Sequence, residues 1–461
     1  MRVLHVTHAL APDSIGGVEL HLRDLLAHQA RRHELLVLAR TGEPSSPDYS
    51  VRDETRDGLP TRLVVNTYAA VWQAGFERTY RDPAIEAVLA RTLEEFRPDV
   101  VHLHHLITLS CDLPAVVRRA GVPCVLTLYD YWPLCHRGNL VDWRGQQCSG
   151  PEDARCATCV AEQLVCAGAA PLGGRLLARA RTQPWFGRVR ALAAPLARVA
   201  LGHVAQRGPA EIARRQAALR QGVLAADLVL APTRALRAWY LAHGYPAERI
   251  THSPLGLPPL AACPRRVRGP GEGPRLGYVG RLTPIKGLHV LLAALRQLPP
   301  RGYTLRVFGR WHDDPTWPSY RHDLERLAAG LPVRFEGPFP AGGIADVFAE
   351  LDLLVLPSVC QENAPLVIQE AKLAGLPVLG SDVSGLAEIV TPGRDGWLFP
   401  LGDSVALAER LREVIEQPAR LDALSPDAAS VRSLDDQARE LDAHYARLAG
   451  RWVAPAPVEG C

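Results

Sequence analysis

Lysine is almost missing from this chain. Lys286 and Lys372 are its only two, although Lys and Arg together number 52, so nearly every cation is an arginine. With abundant alanine and proline, this reads as the bias of a GC-rich coding sequence, and it makes each lysine worth a role. A surplus of charge of one sign is lacking as well: a net +3 over 461 residues is too small to imply a nucleic-acid partner. No run of about 18 apolar residues occurs, and the opening MRVLHVTHALAPD has no apolar h-region. Neither a signal peptide nor a spanning helix is therefore expected, and the expected location is the cytoplasm. No G-x-G-x-x-G follows either leading strand, which disfavours a dinucleotide-dependent dehydrogenase.

What is there reads as an ordinary globular chain, 47% apolar and 22% charged, long enough for two or three domains. Short Val- and Leu-rich runs alternate with amphipathic segments, the pattern of parallel strands joined by helices. Runs at 2–7, 33–39, 61–66, 99–104, 123–128 and 228–232 make one series. After a Pro- and Gly-rich hinge at 258–274 a second series runs through 274–280, 304–309, 332–337, 351–357, 376–381 and 396–400. The expected fold class is α/β, with two Rossmann-like domains facing across a cleft. Their expected spans are 1–257 and 274–425, followed by a helix over 430–452. Ligands of such sheets bind beyond the carboxyl ends of the strands.

Within CQENAPLVIQE (360–370), Pro365 suits the first turn of a helix and Gly375 its end. Glu362 then lies just ahead of the helix and Glu370 inside it. A carboxylate accepts through two oxygens and can hold both hydroxyls of a vicinal diol, as on a sugar or a ribose. VGRLTPIKG (279–287) adds Arg281 and Lys286 on a glycine-containing loop after the leading strand of the second series. Two cations near helix N–H groups suit a diphosphate leaving group, because its oxygens gain charge as a bond to it breaks.

These segments, together with LDLLVLPS and GLPVLGSDVSGLAEIV, resemble the nucleotide-sugar half of the retaining GT-B glycosyltransferases of family four. LHVTHALAPDSIGGVELHLRDLLAHQ is similar to that family's glycine loop and first helix, and PDVVHLHHL to its acceptor-side strand. The resemblance implies transfer of a sugar, with retention, from a nucleotide-diphosphate sugar to a glycan or lipid-linked acceptor in bacterial cell-surface glycan synthesis. No cofactor or catalytic metal is implied, the nucleotide sugar being a co-substrate. Carried over by position, Glu362 meets the donor sugar, Glu370 the ribose, and Arg281 with Lys286 the diphosphate. Asn363, Ala364, Pro365 and Leu366 line the sugar pocket, and Gly16 and Gly17 let the first loop approach the phosphates. The C-terminal helix is expected to return to the first domain. Tyr129 stands where members often carry histidine, and a phenol titrating near 10 cannot replace an imidazole near neutrality. Asp130, His104 and His105 are acceptor-side candidates. An epimerase of the same architecture and a non-catalytic nucleotide-sugar or membrane-surface binder stand as the alternatives.

Cys135, Cys148, Cys156 and Cys159 fall in a loop of little hydrophobic pattern, within a Cys-rich segment over 135–166. Four thiolates could hold a structural zinc, with His136 or Cys166 as substitutes; reduced thiols and a disulfide stay open. The stretch at about 167–222 is rich in Ala, Leu and Arg. It reads either as solvated helices over the sheet or as a basic amphipathic surface for anionic lipid at the inner membrane face. WHDDPTW (311–317) reads as a surface turn. Cys111, Cys124, Cys263, Cys360 and Cys461 read as bystanders.

Overall fold

The computed structural model describes residues 1–43, 45–166, 208–260, 266–269, 271–312, 317, 319–340 and 342–451. The chain forms two compact units, Met1–Leu255 with Leu434–Cys461, and Gly256–Ser433. In the first, the strands are β1 (Arg2–Thr7), β2 (Glu34–Thr41), β3 (Val51–Arg56), β4 (Leu59–Val65), β5 (Val100–Leu103), β6 (Cys124–Thr127), β7 (Leu228–Ala231) and β8 (Ile250–His252). They make one sheet in the order β3-β4-β2-β1-β5-β6-β7-β8. Every pairing is parallel except β3 with β4. Helices cover both faces of a parallel sheet, so β5, β6 and β7 are buried at every position, apolar except for His102 and Thr127.

Two strands escaped the apolar pattern. β3 is a polar edge strand, mostly exposed, joined to β4 by Asp57 and Gly58 with φ of 48° and 78°. Positive φ at both central residues is the type I′ hairpin, for which Asp-Gly is a sequence signal. β8 spans three residues, too few to show a period.

The second unit holds β9 (Arg275–Val279), β10 (Thr304–Phe308), β11 (Val333–Gly337), β12 (Leu353–Leu356), β13 (Val378–Ser381) and β14 (Gly396–Phe399). Their order is β11-β10-β9-β12-β13-β14, all parallel. Order reverses between β9 and β12, and at such a switch the strand-end loops diverge and leave room for a ligand.

The helix Leu434–Arg451 returns to the first unit. Leu434, Ala438, Leu441 and Tyr445 are buried with Val3, Leu22 and Leu26, each large side chain contributing about 1.5–3 kcal/mol by burial. Leu257 N–H donates to the Arg432 carbonyl at 3.0 Å, so the outgoing and returning segments run side by side. Part of the expected hinge is fixed: Arg266 pairs with Asp352 at 2.8 Å, and Arg268 reaches Asp352 at 3.4 Å and Asp422.

The Cys-rich segment is only partly loop, because Cys156 and Cys159 lie on a helix, Asp153–Cys166. Of the basic insertion, residues 167–207 lie outside the described residues. The remainder belongs to the helix Gly208–Ala225, which buries Ile212, Arg215, Leu219 and Val223 on one side and leaves Arg214 and Arg220 exposed on the other. No helix among the described residues is long and apolar enough to cross a membrane.

Candidate active site

In the second unit the loops after β9 and β12 are stitched together. Gly287 has φ 71°, and a Cβ there would stand 1.8 Å from the Pro357 carbonyl oxygen; only glycine permits that approach. Val359 N–H donates to the Ile285 carbonyl at 2.9 Å. The stitch sets Lys286 Nζ 2.5 Å from Glu362 Oε1, while Ser358 Oγ donates to the same oxygen at 2.6 Å. Burial alone would raise Glu362; Lys286 and Ser358 outweigh it and hold the carboxyl below its ordinary value. Burial likewise opposes the charge on Lys286, and Glu362 overrides it so that the ammonium is held above its ordinary value. Both groups are thus charged at neutral pH. Arg281 is exposed on the same loop, its carbonyl accepting from Tyr278 Oη at 3.0 Å.

The helix after this loop is Leu366–Leu373, with Pro365 at its N-cap rather than inside its first turn. It ends as the sequence indicates: Gly375 N–H donates to the Lys372 carbonyl and Leu376 N–H to the Ala371 carbonyl, the paired bonds of a Schellman cap. Glu362 and Asn363 are buried and Glu370 half-buried, while Ala364, Pro365 and Leu366 are partly exposed. A Cβ on Gly385 would stand 2.1 Å from the carbonyl oxygens of both Glu362 and Asn363, so the helix Ser384–Ile389 holds this loop from behind. Gln361 accepts from Ser384 Oγ at 3.0 Å. Ser358, Gln361 and Gly385 were not singled out in the sequence, because only the fold brings them to Glu362.

In the first unit, Gly16 precedes the helix Gly17–Gln29 in extended conformation. A Cβ on Gly16 would meet Glu19 Oε2 at 2.7 Å, so this glycine makes room for the chain's own carboxylate. Glu19 accepts from Ser14 Oγ at 2.6 Å and lies 3.6 Å from His8 Nε2. Burial would raise its carboxyl, but these partners bring it down to about 2. Past β5, His105 Nδ1 accepts from Ile107 N–H at 3.0 Å, which puts a neutral ring's proton on Nε2, 3.0 Å from Asp130 Oδ2. His105, Tyr129, Asp130 and Trp132 line a small cavity of about 10 Å³ at the end of β6.

His104 and Tyr129 are turned inward instead. His104 is wholly enclosed, with Nε2 2.8 Å from His5 Nδ1 and Nδ1 3.2 Å from Tyr129 Oη. Tyr129 Oη also lies 3.4 Å from His21 Nδ1, and His21 Nε2 is 2.8 Å from Gln437. His102 stacks on His104 at 4.0 Å and bonds the hydroxyls of Tyr445 and Thr127. Burial keeps His5, His21, His102 and His104 below the ordinary imidazole value, His5 at about 3, and pushes the Tyr129 phenol upward. The nitrogens of His5, His102 and His104 lie within 4.8 Å of one another. Hydroxyl and imidazole partners already account for most of them, so this is a hydrogen-bonded chain that needs no ion. Its sequence signal was the alternation of His102, on β5, with His104 just past its end.

Cys135, Cys148, Cys156 and Cys159 line one cavity with His136. All four are free thiols, and they stand around its wall rather than converging within 4.8 Å.

Residues 15–157 match the model of Glycosyltransferase Family 4, and residues 273–417 that of Glycosyl transferases group 1. The colanic acid biosynthesis glycosyltransferase WcaL of Salmonella typhimurium, provisionally so named, is 32% identical over 37% of this chain and 43% of its own. The amylovoran biosynthesis glycosyltransferase AmsK of Erwinia amylovora is 32% identical over 40% of this chain and 46% of its own. The chain thus spans under half the length of these relatives. Among solved structures, Anabaena Alr3699/HepE in complex with UDP-glucose superposes with TM-score 0.60 at 18% identity, over 97% of this chain and all of that one. The sucrose-phosphate synthase of Thermosynechococcus elongatus does so with TM-score 0.62 at 17% identity, over 98% and 100%. At such identity these last two likenesses speak for the fold.

Proposed function

From a chain that belongs to the family 4, group 1 glycosyltransferases and has their two-domain GT-B fold, we propose a retaining transferase. It moves a sugar from a nucleoside diphosphate to a glycan or lipid-linked acceptor in cell-surface polysaccharide synthesis. The observation that supports this most is the Lys286–Glu362 ion pair, set by two stitched strand-end loops ahead of a helix. Lys286 and Glu362 satisfy one another in the structure. When the donor binds, its diphosphate takes up Lys286 and Arg281, and Glu362 is left to accept from the sugar hydroxyls.

Glu370, one turn and more into the helix, is assigned the ribose hydroxyls. The segment Asn363–Leu366 is assigned to the sugar, and the backbone at Gly16 and Gly17 to the phosphates. As the glycosidic bond breaks, charge grows on the leaving diphosphate, and the two cations steady it without a metal ion. On the acceptor side the assignment is His105 with Asp130. His105 Nε2–H is fixed by Ile107 and Asp130, and the Asp130 carboxylate can accept from an incoming hydroxyl. Tyr129 and His104 act behind them as positioning groups.

The names of the relatives support a polysaccharide acceptor, and the UDP-glucose complex of the Anabaena protein supports a nucleotide-sugar donor. The test is a thermal-shift panel of nucleotide sugars, then NMR of the product formed from the stabilising donor. Retention of the anomeric configuration is expected, with turnover that depends on acceptor. An inverted product, or interconversion of donor with no acceptor present, defeats the reading.

A further inference from the structure

Buried hydrogen-bond donors without acceptors collect around the loop that follows β6. Arg215, on the helix Gly208–Ala225, is 1% exposed. One Nη donates to the Trp132 carbonyl at 2.6 Å, and the guanidinium lies over the Trp132 ring at 5.2 Å. No carboxylate among the described residues pairs with it, and its Nε has no partner. Arg137 Nη1, Arg155 Nε and His136 Nε2 are likewise buried and unpartnered. A guanidinium cannot shed its charge, so burial without an anion is strongly unfavourable.

Arg155 has a carboxylate within reach, Glu152 Oε2 at 3.5 Å from its Nη2; for Arg215, which has no carboxylate partner among the described residues, the nearby groups that could become anionic are thiols. The cavity is lined by Cys135, His136, Cys148, Arg155, Cys156 and Cys159, and no aspartate or glutamate lines it. Asp142, in the same loop, already accepts from the N–H groups of Arg144 and Gln146. Cys156 and Cys159, three apart, share one face of the helix Asp153–Cys166. Cys135 and Cys148 come from the loop, whose regular pairing is the single bridge Val141–Gln147. Glu152 N–H already points at Cys156 Sγ, 3.4 Å away.

We propose that Cys135, Cys148, Cys156 and Cys159 bind one zinc ion as thiolates, and that this centre is the counter-charge of Arg215. Four S–H bonds give way to four Zn–S bonds, four protons pass to solvent, and zinc stays divalent. The centre carries net charge −2, offset by Arg215 and its guanidinium neighbours. Four sulfurs favour zinc over harder ions. Since Zn–S bonds are about 2.3 Å, binding draws the sulfurs in from the cavity wall and ties the loop to its helix. The role is structural and independent of the transfer reaction.

The full chain, purified without a polyhistidine tag or added metal, is analysed by mass spectrometry for metals. About one zinc per chain is expected, released by a mercurial thiol reagent into a colorimetric chelator. The four thiols should stay unreactive to a disulfide probe until that release. Reduced protein holding no zinc, and taking up none when an equivalent is added, overturns the proposal, as does a sulfur-ligated iron chromophore. The paired change Cys156→Ser with Cys159→Ser should abolish zinc binding. Should that variant not fold, the wild-type stoichiometry decides alone. Arg215→Met should weaken zinc about tenfold or more in chelator competition, with recovery in Arg215→Lys. Unchanged affinity in Arg215→Met removes the counter-charge role.

Discussion

Lys286 meets Glu362 with 23% of its side chain exposed, whereas Lys372 is enclosed between Asp395 and the Ile389 carbonyl at 3.1 and 2.9 Å. Asp395 is itself buried; burial would raise its carboxyl, and the N–H groups of Asp427 and Thr391 together with Lys372 hold it below its ordinary value. Losing one partner of such a pair costs about 3–5 kcal/mol, because the other charge stays buried alone. Lys372→Met should therefore lower the denaturation midpoint sharply. Lys286→Ala removes a cation from the proposed leaving group and should cut kcat by about a hundredfold or more with a much smaller change in melting temperature. The paired comparison, kcat against melting temperature, checks both. A catalytic loss equal in the two variants would mean that the scarce lysines do not divide their roles in this way.

At the scale of the element, the helix Leu434–Arg451 is joined to the first unit by a chain of polar groups as well as by apolar packing. Gln437, His21, Tyr129, His104 and His5 follow one another, and Tyr445 closes on His102. The imidazoles are held neutral by burial, His5 down to about 3. When the folded value lies below the unfolded one, the unfolded chain binds more protons, so stability rises with pH. Stability should be full above an unfolded value of about 6.5 and decline as pH falls toward about 3. Each pH unit costs up to about 1.4 kcal/mol per fully depressed histidine. Denaturant midpoints at pH 8 and pH 5.5 measure this; equal midpoints would contradict it.

The same element shows where sequence reading stops. Strand cores and the glycine cap at Gly375 were legible, because apolar runs and a left-handed helix end are local. The loop pair after β9 and β12 was legible as two motifs. The contact between Lys286 and Glu362 depends on β9 and β12 being neighbours, which no local pattern states. The histidine chain joins β1 to β5 and to a helix more than 400 residues along the sequence from His21, so none of its members announces the others. β3 was missed for the opposite reason: an edge strand needs no apolar face, and its Asp-Gly turn was the one available sign.

For the whole molecule, the second unit is one continuous stretch and the first is not. A chain of residues 256–433 contains the full six-stranded sheet and every residue assigned to the donor except Gly16 and Gly17. It should melt cooperatively and be stabilised by the nucleoside diphosphate. A chain of residues 1–255 lacks the helix that covers Val3, Leu22 and Leu26 and should aggregate. Calorimetry and sedimentation of the two pieces check this; a soluble, cooperatively melting 1–255 would show that the returning helix is dispensable.

The return of that helix also inverts the order in which the ribosome's product can mature. At about 5–20 residues per second, the first unit waits roughly ten to forty seconds after its eight strands are made before residues 434–451 emerge to cover them. The second unit, begun later, can finish sooner. In the interval the apolar groups that this helix packs on, Val3, Leu22 and Leu26 among them, are uncovered in the cell, and chaperone capture should be heaviest on nascent chains stalled between residues 255 and 434.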